Sequence, residues 1–561
     1  MPTVLPWHPS AILVLGLALF HSPAMPTTKT SNAQQAQPPV VGFRIAGTVV
    51  NAVGGNPMAR ARVTIFDTRS PQNTQWGITS EDGRFEFEQL GPGKYALRGA
   101  KRGFIAADYE QHGQFSTAIV TGAGLDTENL VLRLAPFAVL SGKVLDESGD
   151  PVRQATVSLY VEDRRVGVGR IQKIRTDRTD DQGSYEFTPL DAGTYFVSVT
   201  ATPWYAVRPA SSRRQGVGNT PPTVDQSLDV AYPVAYYKDA TEPDEASPMP
   251  IRGGDHLEAD IHLSPVPALH LLFHVAEKGE HGFTMPMLQK PAFDGMDDVP
   301  VSGVQMVSPG VFEMTGVAAG RYTVRMPVSL PGQQNQTSEV EMDLTADGQE
   351  LDVSKGESAS TVKASVKLLG EETLPRDLGV GLRNSKLRVV AWQQVNGKGE
   401  VEFQDVVPGK YEVLVQTPGK AYSVARMSSQ SGEMSGHILN VAAGQSLDVA
   451  LSLVGGTANV EGFAKRNGKA VAGAMVVLVP KNPESNRELF RRDQSDLDGS
   501  FGLRSVIPGS YTVCAIENGW DLDWAKTAVI AHYCQHGRRL VVGNRAEGPV
   551  HLADAVEVQP R

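Results

Sequence analysis

A glycine with a leucine or valine three positions before it and a tyrosine two positions after it recurs five times in this chain. The copies are Gly93-Lys94-Tyr95, Gly193-Thr194-Tyr195, Gly320-Arg321-Tyr322, Gly409-Lys410-Tyr411 and Gly509-Ser510-Tyr511. The intervals are much longer than the roughly 20–50 residues of a solenoid repeat. They have the length of a unit that buries a core of its own, about 100 residues. A chain of 561 residues is consumed by five such units.

Each copy carries further signals in a fixed order. The first opens with Gly47-Thr48-Val49, continues through Val63-Thr64-Ile65, and reaches Asp82-Gly83-Arg84-Phe85-Glu86-Phe87 before Leu90-Gly91-Pro92-Gly93-Lys94-Tyr95. The second repeats this with Gly142-Lys143-Val144, Val157-Ser158-Leu159 and Gly183-Ser184-Tyr185-Glu186-Phe187. The fourth keeps Gly399-Glu400-Val401-Glu402-Phe403, and the fifth keeps Asp498-Gly499-Ser500-Phe501. The third is degenerate and lacks the opening glycine and the Asp-Gly turn. Phe85 and Phe87 alternate with Glu86 and Glu88, which is the period of a half-buried strand. Asp-Gly supplies a residue with φ > 0 and predicts a tight hairpin. Pro92-Gly93 predicts a type II turn. A tyrosine just past such a corner predicts a hydroxyl bonded to upstream backbone. No long segment has helical period with caps, so the reading is all-β.

In this order the motifs resemble the carboxypeptidase regulatory-like domain family. The resemblance implies a Greek-key, prealbumin-like β-sandwich related to starch-binding-like modules. Five tandem copies are expected at 42–135, 136–265, 266–357, 358–453 and 454–561. Fold families of this kind are specific about architecture and nearly silent about function.

Motifs of chemistry are sparse. His274-Val275-Ala276-Glu277 has the H-x-x-E form of a zinc peptidase, and Ser360-Thr361-Val362-Lys363 has the S-x-x-K form of a penicillin-recognising enzyme. Both lie in strand-like sequence, whereas the S-x-x-K pair works on a helix and the zinc motif needs a distant third ligand. Acidic turns such as Asp180-Asp181 fall short of the six to eight oxygens that calcium takes. No catalytic residue, cofactor site or metal site is read from the sequence. The strongest binding candidate is Trp520-Asp521-Leu522-Asp523-Trp524. There the two indoles would stack on a sugar while Asp521 and Asp523 accept hydroxyl hydrogen bonds. The plainer reading is that the rings plug sandwich edges or interfaces between units.

The net charge of −10 argues against nucleic acid, whose phosphates need clustered Lys and Arg. The pair Arg491-Arg492 is too short to change that. Cys514 and Cys534 are the two cysteines. They form one local bridge in an oxidising compartment or sit as buried thiols. The run Ala11–Phe20 is too short to span a bilayer, which takes about 20 residues. With small residues behind it, the run reads as a signal peptide within 1–33, and no later segment is apolar enough for a span. The expectation is therefore an exported, non-catalytic modular protein of the cell envelope, outer surface or secreted space. Its partners would be a polysaccharide or an envelope protein. The alternative is an accessory chain of a separate peptidase or glycoside hydrolase, since no catalytic domain is read up to Arg561.

Overall fold

The computed structural model describes residues 42–122, 124–207, 225–274, 285–328, 336–352, 357–370, 373–429, 432–433, 437–456, 458–543 and 548–561. The apolar run near the N-terminus and Glu277 lie outside these residues. Almost every element is a strand, and the one α-helix among the described residues is short, Thr527–Tyr533. No helix among them is long and apolar enough to cross a membrane.

Five large clusters of buried side chains each draw on the residues of one copy. They run from Ile45 to Leu134, Ala138 to Leu263, Leu269 to Leu351, Val362 to Leu453 and Ala458 to Val558. In the first copy the core lies between two sheets. One has Phe43–Asn51 between Arg84–Leu90 and Leu130–Leu134, and the other centres on Arg62–Asp67 and Gly93–Ala100. Phe43–Asn51 runs parallel to Leu130–Leu134. Strands Ser360–Leu368 and Ser446–Gly455 repeat that parallel pairing in the fourth copy over eight residue pairs.

The tyrosine corner is present in all five copies. Tyr95, Tyr195, Tyr322, Tyr411 and Tyr511 donate to the carbonyls of Gly91, Asp191, Ala318, Val407 and Ile507, each four residues upstream, at 2.6–3.1 Å. The turn before the first corner differs from the type II turn expected at Pro92-Gly93. Gly93, Gly193 and Gly509 are not in the left-handed region, whereas Gln89, Asp405 and Ser505 are, with φ of 60°, 55° and 52°. The reason is a β-bulge. Phe43 faces Leu90 but Ile45 faces Phe87, so one extra residue is accommodated before Leu90. The same register jump precedes Leu190, Val317, Val406 and Val506.

The Asp-Gly turn is also corrected. Gly83, Gly183, Gly399 and Gly499 do take φ of 70–80°. The turn is nevertheless no hairpin in the first two copies, because the strands it joins belong to different sheets. Its glycine carbonyl accepts from the strand beneath it, as in Val49 N to Gly83 O at 2.9 Å and Val144 N to Gly183 O at 2.9 Å. An alternating strand needs one apolar face against the opposite sheet, and an arch between sheets satisfies that as well as a hairpin does. The third copy, which lacks Asp-Gly, forms a true hairpin between Gly303–Ser308 and Val311–Val317 around Gly310.

Candidate functional site

The fifth copy has a second apolar cluster outside its sandwich core, and this cluster places the Trp-Asp loop. Every residue of the strand Met475–Pro480 is buried, because both faces are covered. One face meets the core, and the other meets Phe490, Trp524, Ala525 and the segment carrying Cys534. Cys514, on the strand Gly509–Ile516, and Cys534, at the end of the short helix, are joined by a disulfide with their Cα atoms 5.3 Å apart. In the chain-entropy account, closing a loop of about 20 residues contributes about 3 kcal/mol.

The four candidate ligand-binding residues all have protein partners. The Trp520 indole stacks on the His112 imidazole of the first copy, 4.9 Å apart at 8°, and leans on Phe115 at 5.5 Å. Its Nε1 donates to Gly473 O at 3.2 Å. Trp524 is 7% exposed, and its face carries the Arg492 guanidinium at 4.2 Å. Asp523 accepts from Gly169 N of the second copy at 2.7 Å and pairs with Arg164 and Lys526. Asp521 pairs with Arg561 at the exposed rim.

Sequence reasoning passed over the residues that complete this junction. Arg492 lies between Trp524 and Phe115 (5.2 Å) and donates to Arg165 O at 3.2 Å, so one guanidinium touches three copies. Burial pushes its pKa down to about 10. Gln494, almost fully buried, donates to Glu110 O at 2.6 Å and to Thr117 Oγ1 at 2.8 Å, and its Oε1 is 3.0 Å from His112 Nδ1. Asp496 pairs with Lys94 at 2.6 Å and accepts from Ala118 N at 2.9 Å. No motif marks these residues, because their pairing depends on which copies meet.

Asp493 gives this junction a pH signature. Its carboxylate accepts from Gly502 N at 2.6 Å, yet burial pushes its pKa up to about 6 from an ordinary 3.8. Burial also raises Asp496, opposed by Lys94. A folded pKa above the unfolded one means that the folded chain binds more protons between the two values. The contribution of Asp493 therefore becomes less favourable as pH rises from about 4 to 6 and stays so above. Two pKa units correspond to up to about 3 kcal/mol. We expect Asp493→Asn to gain stability on wild type by that order between pH 4 and 7 in urea unfolding. Parallel curves for the two proteins would refute the assignment.

Other motifs are absorbed by structure. Ser360 donates to Ala442 O at 2.6 Å and accepts from Gln445 N, and it opens a strand. Buried His270 meets Asp229 at 2.8 Å, while exposed His274 meets Glu350 at 3.0 Å. The side chain of Asp180 accepts from Gln182 N and Ser184 N, as turn chemistry requires.

A polar groove of about 760 Å³ lies on the outer face of a sheet in the fourth copy. On its floor Lys363 sits between Glu402 and Asp448 on the neighbouring strands, with Ser365 beside Glu400. Gln393 and Asn396 form part of the wall.

Two segments, 44–123 and 139–219, match the family described as carboxypeptidase regulatory-like domain. No curated protein matches the chain in sequence. Among solved structures, the chain is similar to the Bacillus anthracis TIE protein at 12% identity, over 75% of this chain and 76% of that one, with a TM-score of 0.17. It is similar to GBS52, a minor pilin of Streptococcus agalactiae, at 13% identity over 40% and 97%, TM-score 0.20. It is also similar to the shaft pilin SpaA from Lactobacillus rhamnosus GG, at 12% identity over 40% and 98%, TM-score 0.17.

Proposed function

We propose that this chain is an exported, non-catalytic structural and binding protein of the cell envelope or secreted space. It is built of β-sandwich modules at 42–135, 136–265, 266–357, 358–453 and 454–561. The observation that carries this reading is the junction of the first, second and fifth copies. There the side chains with the most chemical potential in the fifth copy, Trp520, Trp524, Asp523, Arg492 and Gln494, hold copies to one another. A fold that commits such groups to internal ties serves mechanical coupling. The Cys514–Cys534 disulfide suits an oxidising compartment, as does the apolar N-terminal run.

A polysaccharide is the partner class this reading favours, and the fourth-copy groove is its seat. Amides, carboxylates and Lys363 line an open surface of a size common to ligand sites. Fractionation of the native host should place the chain outside the cytoplasm, and immobilised envelope polysaccharide should retain it. Lys363→Ala with Glu402→Ala should lower retention at least tenfold. A cytoplasmic location would overturn the exported role. Retention of only a partner hydrolase or peptidase would favour an accessory chain instead.

A further inference from the structure

At the junction of the fourth and fifth copies, three ionisable side chains from three elements converge. Glu412 lies on the strand Gly409–Gln416, His437 directly precedes the neighbouring strand Ile438–Val441, and Glu488 lies in the 3-10 turn Arg487–Leu489. The backbones that carry Glu412 and His437 are joined, with Val413 N donating to His437 O at 3.0 Å. His437 Nε2 is 3.7 Å from Glu412 Oε1 and 3.4 Å from Glu488 Oε2, and all three atoms lie within 4.8 Å of one another. The His437 side chain is 9% exposed, and the two carboxylates are nearly as buried.

An ion pair alone does not account for this geometry. A charge-assisted N–H to carboxylate bond closes to about 2.7–2.9 Å. Here His437 Nε2, Glu412 Oε1 and Glu488 Oε2 are each buried without a hydrogen-bond partner among the described residues. The other carboxylate oxygens are held by protein donors. Glu412 Oε2 accepts from Arg383 Nε at 2.9 Å and from its terminal nitrogen at 2.6 Å, and Glu488 Oε1 accepts from Ser423 Oγ at 3.2 Å. Each carboxylate thus has one oxygen fixed and the other turned toward the histidine. That is the outer-shell arrangement that orients metal ligands. Ligand atoms at about 2.0–2.2 Å from a tetrahedral ion stand roughly 3.4 Å apart, close to the 3.7 and 3.4 Å that separate His437 Nε2 from the two carboxylate oxygens.

We propose that Glu412, His437 and Glu488 bind a divalent first-row transition ion of the zinc class, clipping the fourth copy to the fifth. One imidazole and two carboxylates suit such an ion better than calcium or magnesium, which take oxygen alone. Three protein ligands and one water complete four-coordination. The site goes beyond the proposed function and stands whether or not the chain meets a polysaccharide.

The test uses the full chain stripped with chelator and titrated with Zn2+ by calorimetry, and with Co2+ by visible spectroscopy. We expect a tight site of one equivalent that survives millimolar Mg2+ and Ca2+, and Co2+ bands of low coordination number. His437→Gln and Glu488→Gln each remove a direct ligand and should weaken Zn2+ by more than the roughly 10–100-fold that loss of an outer-shell partner costs, while keeping the strand signal in circular dichroism. Zn2+ should raise the melting temperature of wild type but not of the variants. Absence of a one-equivalent site in the folded wild type, or unchanged affinity in both folded variants, overturns the proposal. Because the Co2+ spectrum is read on wild type, the outcome does not depend on the variants folding.

Discussion

Gly142→Ala is expected to cost about 3 kcal/mol, and Gly142→Val to unfold the second copy. The strand Ala138–Leu145 lies beside a partner that runs parallel to it in two pieces, His256–Glu258 and Ile261–His262. Between the pieces, Ala259 bends in toward Gly142. A Cβ on Gly142 would lie 2.3 Å from Ala259 O and 3.0 Å from Tyr185 Oη. The obstacle is backbone, so no rotamer change relieves it. The Tyr185 hydroxyl donates to Ala259 O at 2.5 Å, and Ala259 N donates to Ser141 O at 2.8 Å. Overpacking costs about 1–3 kcal/mol, and each buried hydrogen bond lost adds about 1 kcal/mol. The sum approaches the whole stability of a small domain, about 5–15 kcal/mol. Gly47→Ala should be as severe, since its Cβ would meet Leu130 O at 2.2 Å. Gly462→Ala should be milder, because it meets only side-chain atoms, Phe501 at 2.8 Å and Leu552 at 3.0 Å. Gly77→Ala, with open space around it, serves as the control. Urea unfolding with hydrogen exchange resolved to the second copy reads the order. Equal costs at 142 and 77 would refute it.

This glycine series shows what the sequence carries. The opening Gly-x-Val step was legible as a motif, and its cause is close approach to a parallel neighbour. The fourth copy places Ala364 at that step, opposite Val449, because its parallel ladder runs unbroken from Thr361 to Leu368 and leaves room for a methyl group. The corner tyrosines and alternating strands were legible because period and local turn chemistry determine them. The Asp-Gly signal predicts a hairpin where the first copy has an arch between sheets, because local chemistry sets the turn's φ but not which strand lies beside it. The bulges at Gln89, Asp405 and Ser505 carry no glycine and gave no signal. Least legible were the junctions. Arg492, Gln494, His112 and His437 stand in no periodic pattern, and their partners lie tens to hundreds of residues away.

Trp520 separates the two readings of the Trp-Asp loop, and its removal should loosen the tie between the first and fifth copies. Trp520→Ala deletes an indole that is stacked on His112, leans on Phe115 and is hydrogen-bonded to Gly473 O. A truncation of this kind costs about 3–5 kcal/mol when fully buried. Partial burial here brings the expectation to about 2–3 kcal/mol. The loss should appear as earlier unfolding and faster proteolysis at the junction, with no ligand present. His112→Ala should cost less on its own, since Gln494 keeps its bonds to Glu110 O and Thr117 Oγ1. If the stacked pair is the tie, the double variant should fall short of the summed losses by about 1 kcal/mol, as residues in contact do. A sugar platform behaves otherwise. Its indole face must be open to the ligand, so Trp520→Ala would abolish retention on polysaccharide and leave unfolding unchanged. Strict additivity of the two losses, with unaltered proteolysis, would refute the tie.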